Sequence, residues 1–498
     1  MLKSRKIVFI MTDTQRWDML GCYRNTGLRT PNLDRLAGEG IRYDRAYTTQ
    51  PVCQPARAGI FTGQYPHSVG SWANSSGLSN NARTIGQRLS KEGVHTAYIG
   101  KYHLDGGDYF GLGKCPDGWD PEYWYDMRNY LEELTDRERL DSRNADLMLS
   151  RDFSETFPFG HRCTDRAIDF LKRCHSEDFF LVLSYDEPHS PSICPMPYSK
   201  MYQDFAFPIS DNVYDDMRGK PEHQKIWGRE QMERDKSDLR IRAPFLFGCN
   251  SYIDHEIGLV MGAVEQYAQD AIVIYTSDHG DMLCSHNLTG KGPCAYDEIT
   301  RIPLIIKGKG VPRGQVDPHP VSHINLTPTI LEMMDATIPP VLEGKSLLRG
   351  IEDPAVRVND YVFMEFGRYE VDHDGFGGFQ PLRTVFDGRY KLTINLLSGD
   401  ELYDLQEDPG EMKNLISSAR HRKIRNQLHD VLLQHMNETR DPFRGYYWER
   451  RPWREDASPA TWDYTLMTRQ REEDPYFEDR QLDYGTGLPM KNATRKKG

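Results

Sequence analysis

The chain has 498 residues, 38% of them hydrophobic and 11% aromatic, and a formal net charge of −12. Such a length allows a large buried core and about two to four domains. The acidic balance repels nucleic-acid phosphates and anionic lipid, which excludes both as expected partners.

At the amino terminus, MLKSRKIVFIMTD offers only residues 7–11 as an apolar run, too short for a signal-peptide core. No later run approaches the roughly 18 apolar residues of a membrane span. Nine cysteines without a C-x-x-C pair fit neither a disulfide framework nor a zinc ribbon. Reduced thiols and a cytoplasmic location are the expectation.

Further apolar runs at 96–99, 179–183, 271–275 and 303–306 suit strands buried on both faces. Helical spacing lies between them: Ala167, Ile168, Phe170 and Leu171 share a face, as do Ile253, Ile257, Val260 and Val264. Another helix is expected after Thr327 and Pro328. The alternation predicts an α/β fold with a large, mostly parallel sheet sandwiched by helices. From 383 to 405 the pattern changes to β-rich runs broken at Asp387-Gly388 and Ser398-Gly399-Asp400, as in antiparallel hairpins. One amphipathic helix follows at 421–436. The expected organisation is a large domain over 1–375, a smaller α+β subdomain over 376–440, and a tail over 441–498. The aromatic residues of that tail predict that it wraps the body, with its last residues disordered.

Each buried run of the large sheet ends in polar groups. Residues 7–12 lead to Asp13, 96–100 to Lys101 and His103, 179–185 to Asp186, Glu187 and His189, and 271–277 to Asp278 and His279. In open α/β sheets the carboxyl ends of the strands are where ligands bind. Asp13, Asp278 and His279 form a mostly oxygen-donor set suited to Ca²⁺, Mg²⁺ or Mn²⁺. Lys101, Lys291, Arg57, His103 and His189 add cations and proton-transfer groups around an anion.

The segment C-Q-P-A-R at 53–57 matches the C-x-P-x-R signature of the type I sulfatases, in which the cysteine becomes Cα-formylglycine. GKYH at 100–103, EPHSP at 187–191, SDHGD at 277–281, GKG at 290–292 and the YKL to MKNL stretch at 390–415 follow in that family's order. The chain resembles this family over about residues 5–415, most closely uncharacterised bacterial members with the same opening TDTQ. The resemblance implies an alkaline phosphatase-like fold and hydrolysis of a sulfate monoester, with a sulfated saccharide as the expected substrate. It implies one divalent metal, Ca²⁺ first and Mn²⁺ or Mg²⁺ next, held by Asp13, Asp278, His279 and residue 53. It also implies a formylglycine-generating or anaerobic sulfatase-maturing enzyme as partner, reading Cys53, Pro55 and Arg57. Lys101 and Lys291 would neutralise charge on the transferring group, His189 would protonate the leaving alcohol, and His103 would remove the proton that triggers sulfate release.

One position departs from the family pattern. Many members carry a second aspartate where this chain has Thr14, which leaves the metal and its fourth protein ligand open between the Thr14 hydroxyl and Gln15. Substrate-rim candidates are Arg368, His373, Asp374 and Arg383 in a glycine-rich stretch, with His67, Trp72, Asp105 and Asp108 nearer the nucleophile. Two other readings compete. Phosphonate monoester and phosphodiester hydrolases share the signature, and a non-catalytic binder of sulfated ligands would need no proton shuttle. Oligomeric state is left open.

Overall fold

The computed structural model describes residues 2–106, 108–151, 153–370, 378–454 and 486–488. Its main sheet contains β1 (Lys6–Thr12), β2 (Ile41–Tyr47), β3 (His95–Gly100), β4 (Phe179–Ser184), β5 (Ile272–Ser277), β6 (Arg301–Ile302), β7 (Leu304–Lys307) and β8 (Gln315–Ser322). The order is β3-β4-β1-β5-β7-β2-β6, with β8 on the other side of β2. Strands β3, β4, β1 and β5 run parallel, and β7 is antiparallel to both β5 and β2. Pro303 separates β6 from β7 along one line of pairing with β2, where the missing N–H of proline interrupts the ladder.

The continuous apolar runs are explained by burial on both faces. In β1, Ile7, Phe9 and Met11 enter one core with Phe180, Val182, Ile272 and Ile274. Val8 and Ile10 enter the other with Leu181, Leu183, Val273 and Tyr275. This is the period-two alternation of a strand, with helices instead of water on either side. The Phe159–Cys174 and Pro244–Tyr267 helices cover one face, and the Cys53–Thr62 and Leu326–Met333 helices cover the other.

Strands β2 and β8 have no such signature in the sequence. β2 reads IRYDRAY, and its Arg42, Asp44 and Arg45 are only half-buried. β8 carries Pro318 and Pro320, which a strand accommodates at a sheet edge, where no second neighbour needs their N–H groups.

A second, antiparallel sheet has the order β12-β11-β10-β9, formed by β9 (Val362–Arg368), β10 (Phe379–Phe386), β11 (Tyr390–Asn395) and β12 (Glu401–Asp404). It starts at Val362, ahead of residue 376, because β9 pairs with β10 and not with the main sheet. The Arg422–Glu438 helix packs Leu428, Leu432 and Met436 onto Val385, Leu392, Ile394 and Leu402, with Trp448 in the same core. Beyond it, Arg451 Nε bonds Asp400 Oδ2 at 2.8 Å. Residues 455–498 of the expected tail, apart from 486–488, lie outside the described residues. Among those described, no helix is long and apolar enough to cross a membrane.

Candidate active site

The parallel order β3-β4-β1-β5 sets four strand ends side by side, so residues far apart in sequence meet at one edge. Gly100 allows part of this approach: its φ is +117°, and a Cβ there would lie 1.9 Å from the Ser184 carbonyl oxygen at the end of β4. Gly280 is similarly confined, with a Cβ 2.0 Å from the Glu298 oxygen.

Cys53 opens the Cys53–Thr62 helix and is fully buried. Its Sγ lies 3.2 Å from His279 Nε2, 3.5 Å from Asp13 Oδ1 and 2.5 Å from Lys291 Nζ. Arg57, one turn on and on the same helical face, is also fully buried. Its Nη2 donates to Asp13 Oδ2 at 3.0 Å, its Nε to Asp278 Oδ2 at 3.2 Å, and its Nη1 to Ser184 Oγ and the Lys101 carbonyl. The spacing of cysteine and arginine therefore puts the thiol at the centre and the guanidinium behind the carboxylates. Burial and Asp13 oppose ionisation of the Cys53 thiol, but Lys291, Lys101 and His279 outweigh them and hold it well below the ordinary thiol value.

Asp13, Cys53, Asp278 and His279 each offer a donor atom, and these atoms lie within 4.8 Å of one another. Burial and the nearby Asp13 push the Asp278 carboxyl up to about 6. Asp13 is held well below the usual carboxylate range: burial acts against this, and Lys101, His189, Lys291 and Arg57 overcome it. Two crowded carboxylates with an imidazole make a donor set that fits a divalent cation. Thr14, at φ 64°, donates its hydroxyl to Asp13 Oδ1 at 2.8 Å and its backbone N–H to Asp278 Oδ1 at 3.1 Å. Gln15 is engaged elsewhere, donating to Asn250 Oδ1 at 2.7 Å and accepting from Thr12 and Tyr275. Of the two sequence alternatives, only Thr14 stands at the donor cluster.

Lys101 bridges Asp13 Oδ2 at 2.8 Å and Asp186 Oδ1 at 2.9 Å. Burial disfavours its charge, but these two carboxylates hold its pKa well above the ordinary lysine value. Lys291 Nζ touches Cys53 and His279 Nε2, the latter at 3.1 Å, and pairs with no carboxylate among the described residues. His103, at φ 56°, is buried; that burial lowers its pKa, although a hydrogen bond with Cys53 acts the other way. His189 is half-buried and lines a cleft of about 1220 Å³ that also contains Thr14 and Lys291.

The walls of that cleft come from Arg143, Trp227, Arg229, Phe245 and Tyr369, none of which the sequence patterns single out. Arg143, Trp227, Arg229 and Tyr369 lie in short helices and connections without periodicity, and Phe245 is in the first turn of the long Pro244–Tyr267 helix, so only their convergence on the cleft reveals them. Asp186 and Ser184 complete the charged cluster behind it.

The expected rim residues are placed differently. Arg383 is buried with its guanidinium on Asp441, and His67 Nδ1 lies 2.5 Å from Glu365 Oε2. With Trp72 they border a separate 270 Å³ pocket at the junction with the second sheet. Asp105 and Asp108 organise their own loop, accepting the Leu112 and Phe110 N–H groups at 2.9 Å. Arg368 lies 5.3 Å from the Phe379 ring centroid. His373 and Asp374 are outside the described residues.

The sulfatase family model matches residues 5–336, and a model described as N-sulphoglucosamine sulphohydrolase, C-terminal, matches 291–438. The uncharacterised sulfatase YidJ of Escherichia coli is 44% identical, covering 99% of this chain and 98% of that protein. The N-acetylglucosamine-6-O-sulfatase of Bacteroides thetaiotaomicron is 25% identical over 88% of this chain and 87% of its own. The solved phosphonate monoester hydrolase of Silicibacter pomeroyi shares the fold, with a TM-score of 0.73, 23% identity and coverage of 88% and 96%. The chain therefore belongs to the sulfatase family of the alkaline phosphatase-like superfamily and is a sulfuric ester hydrolase.

Proposed function

We propose that this enzyme hydrolyses a sulfate monoester of a saccharide and that residue 53 acts after oxidation to Cα-formylglycine. The observation that carries the reading is Lys291, an ammonium 2.5 Å from Cys53 Sγ that is directed at the nucleophile position instead of at a carboxylate. The hydrated aldehyde at residue 53 supplies two hydroxyls, one to attack sulfur and one to release sulfate as the carbonyl returns. A divalent cation, Ca²⁺ first and Mn²⁺ or Mg²⁺ next, would be held by Asp13, Asp278, His279 and residue 53 beside Thr14, and supplies Lewis acidity.

The chain's own groups do the rest. Lys101 and Lys291 neutralise charge that grows on the transferring group in a buried setting, where such donors act strongly. His189, at the cleft wall, protonates the departing alcohol oxygen, and buried His103 accepts the proton when sulfate is released. Arg57 braces Asp13 and Asp278 from behind. Cys53, Pro55 and Arg57 are all buried in the folded chain, so a maturing enzyme would read them before the sheet closes over them.

A saccharide substrate is supported by the sugar sulfate named for the Bacteroides relative. The phosphonate monoester or phosphodiester alternative is the runner-up, supported by the fold shared with a phosphonate monoester hydrolase. A screen of matured enzyme against sulfated saccharides, aryl sulfates and phosphodiesters decides between them. The expected result is highest kcat/KM on a saccharide sulfate. Preference for a phosphodiester by orders of magnitude would overturn the reading.

A further inference from the structure

The loop after β3 brings Tyr109 to the centre of the proton-transfer side of the site. Its hydroxyl lies 2.6 Å from Asp186 Oδ1 and 3.0 Å from His189 Nδ1. Lys101 Nζ stands 4.1 Å from the centre of its ring, and the ring meets His103 edge-on at 5.5 Å. One side chain thus touches both lysine-carboxylate and imidazole parts of the machinery.

The hydrogen-bond chemistry sets the proton positions. His189 Nδ1 also lies 2.8 Å from the Ser190 carbonyl oxygen, which can only accept. Nδ1 therefore carries hydrogen, and the Tyr109 oxygen accepts from it as well. The tyrosine's own hydrogen is then directed to Asp186 Oδ1. The donor sequence runs from His189 Nδ1–H through the Tyr109 hydroxyl to the Asp186 carboxylate. Among the described residues both hydrogen bonds of the His189 ring fall on Nδ1, which leaves Nε2 to meet a leaving oxygen at the cleft.

We infer that Tyr109 is a positioning residue for the leaving-group acid, coupling the Asp186 carboxylate to His189 so that Nε2 delivers its proton to substrates whose leaving oxygen is a poorly departing alcohol. The inference rests on the reading of His189 as that acid and deepens it. A carboxylate bonded through a hydroxyl to Nδ1–H fixes the orientation of the ring and keeps Nε2 as the nitrogen that meets the leaving oxygen. Once Nε2 has given its proton to the alcohol oxygen as the S–O bond breaks, the ring is neutral and Nδ1–H stays on Ser190 and Tyr109. Such an arm is needed for an alkyl or saccharide sulfate and is of little use for an activated aryl sulfate, whose phenoxide leaves unaided. The geometry therefore favours alcohol sulfates over aryl sulfates as the substrate class.

Tyr109→Phe keeps the ring under Lys101 and removes only the hydroxyl, so it isolates the coupling. Matured parent, Tyr109→Phe, His189→Ala and the double variant would be compared on para-nitrophenyl sulfate, phenyl sulfate and a hexose primary sulfate. Tyr109→Phe is expected to lower kcat by about tenfold on the two poorer leaving groups, a part of what an acid group contributes, and to leave para-nitrophenyl sulfate nearly unchanged. In the His189→Ala background, removing the hydroxyl should add no further loss, because a residue that acts through His189 has nothing left to act on. Equal losses on all three substrates, or additive losses in the double variant, would overturn the role of Tyr109. Failure of the acid reading is separately visible: His189→Ala would itself then show no dependence on leaving group. The thermal unfolding midpoint of each variant is the folding control, so an equal loss on all three substrates in a folded variant counts against the role.

Discussion

Asp13, Asp278, His279 and Arg57 at the strand ends, and Glu365, Asp441, His67 and Arg383 at the junction of the two sheets, have the same make-up: two carboxylates, one imidazole and one guanidinium, with side chains almost wholly buried. Both offer donor atoms close enough for a metal ion. They differ in where the pairing ends. At the junction His67 Nδ1 meets Glu365, its Nε2 meets the Thr439 carbonyl at 3.3 Å, and Arg383 meets Asp441 and the carbonyls of Phe366 and Leu382. Each charge has its opposite. At the strand ends Arg57 covers the carboxylates from one side only, while His279 Nε2 and Lys291 Nζ are turned to Cys53. A closed cluster like the one at the junction holds two parts of a chain together; an open-sided one can hold a reacting group.

The sharpest way to break this comparison is to ask whether activity and stability separate between the two clusters. Cys53→Ala should lower turnover by about 10⁴-fold or more, the scale of losing a covalent nucleophile, with the unfolding midpoint kept. Activity comparable to the parent would show that the strand-end cluster is not the reaction centre.

Next in size, Lys101→Ala and Lys291→Ala should each cost roughly 10²-fold in kcat, as for one preorganised donor in a dry site. They should differ in stability. Loss of Lys101 leaves Asp13 and Asp186 without their shared cation, whereas Lys291 has no carboxylate partner among the described residues. Chemical denaturation of both variants checks this, and equal destabilisation would contradict the open-sided account.

At the junction the order reverses. Arg383→Ala strands the Asp441 carboxylate, and a broken buried pair of this kind costs about 3 kcal/mol or more of stability. Turnover per folded molecule should be unchanged; a selective loss of kcat would return Arg383 to the substrate site.

The smallest effect is in pH. Burial disfavours charge on His67, but Glu365 outweighs it and pushes the His67 pKa up to about 9. Because the folded value is raised above the unfolded one of about 6.5, the contribution is fully present below that pH and disappears as pH rises through 9. Denaturation midpoints of the parent and His67→Gln across that window should therefore converge at the alkaline end. A gap of constant size would show that His67 is neutral in the folded chain.

Legibility in the sequence followed burial. The runs that became β1, β3, β4 and β5 could be read because helices cover both faces, which forces their central residues to be apolar. The same reasoning located Asp13, Lys101, His103, His189, Asp278 and His279, since each directly follows a run that has to end in polar groups. β2 carries alternating charge and β8 two prolines, so neither pattern could be told from a loop. Glycine-rich context suggested a ligand loop around Arg383, yet the arginine is a rung of β10 whose side chain meets Asp441, 58 residues further on.

By itself the sequence determined which groups gather at the strand ends: the C-Q-P-A-R helix start and the charged residues there are local in the chain, and local order sets which atoms arrive at the sheet edge. Only the tertiary structure decided what surrounds those groups. Tyr109 reaches Asp186 and His189 across 77 and 80 residues, and the cleft walls come from segments near 143, 227, 245 and 369. The physical reason is that a strand or helix states its burial in its own periodicity, whereas a contact between loops depends on where the packed elements beneath them bring their ends.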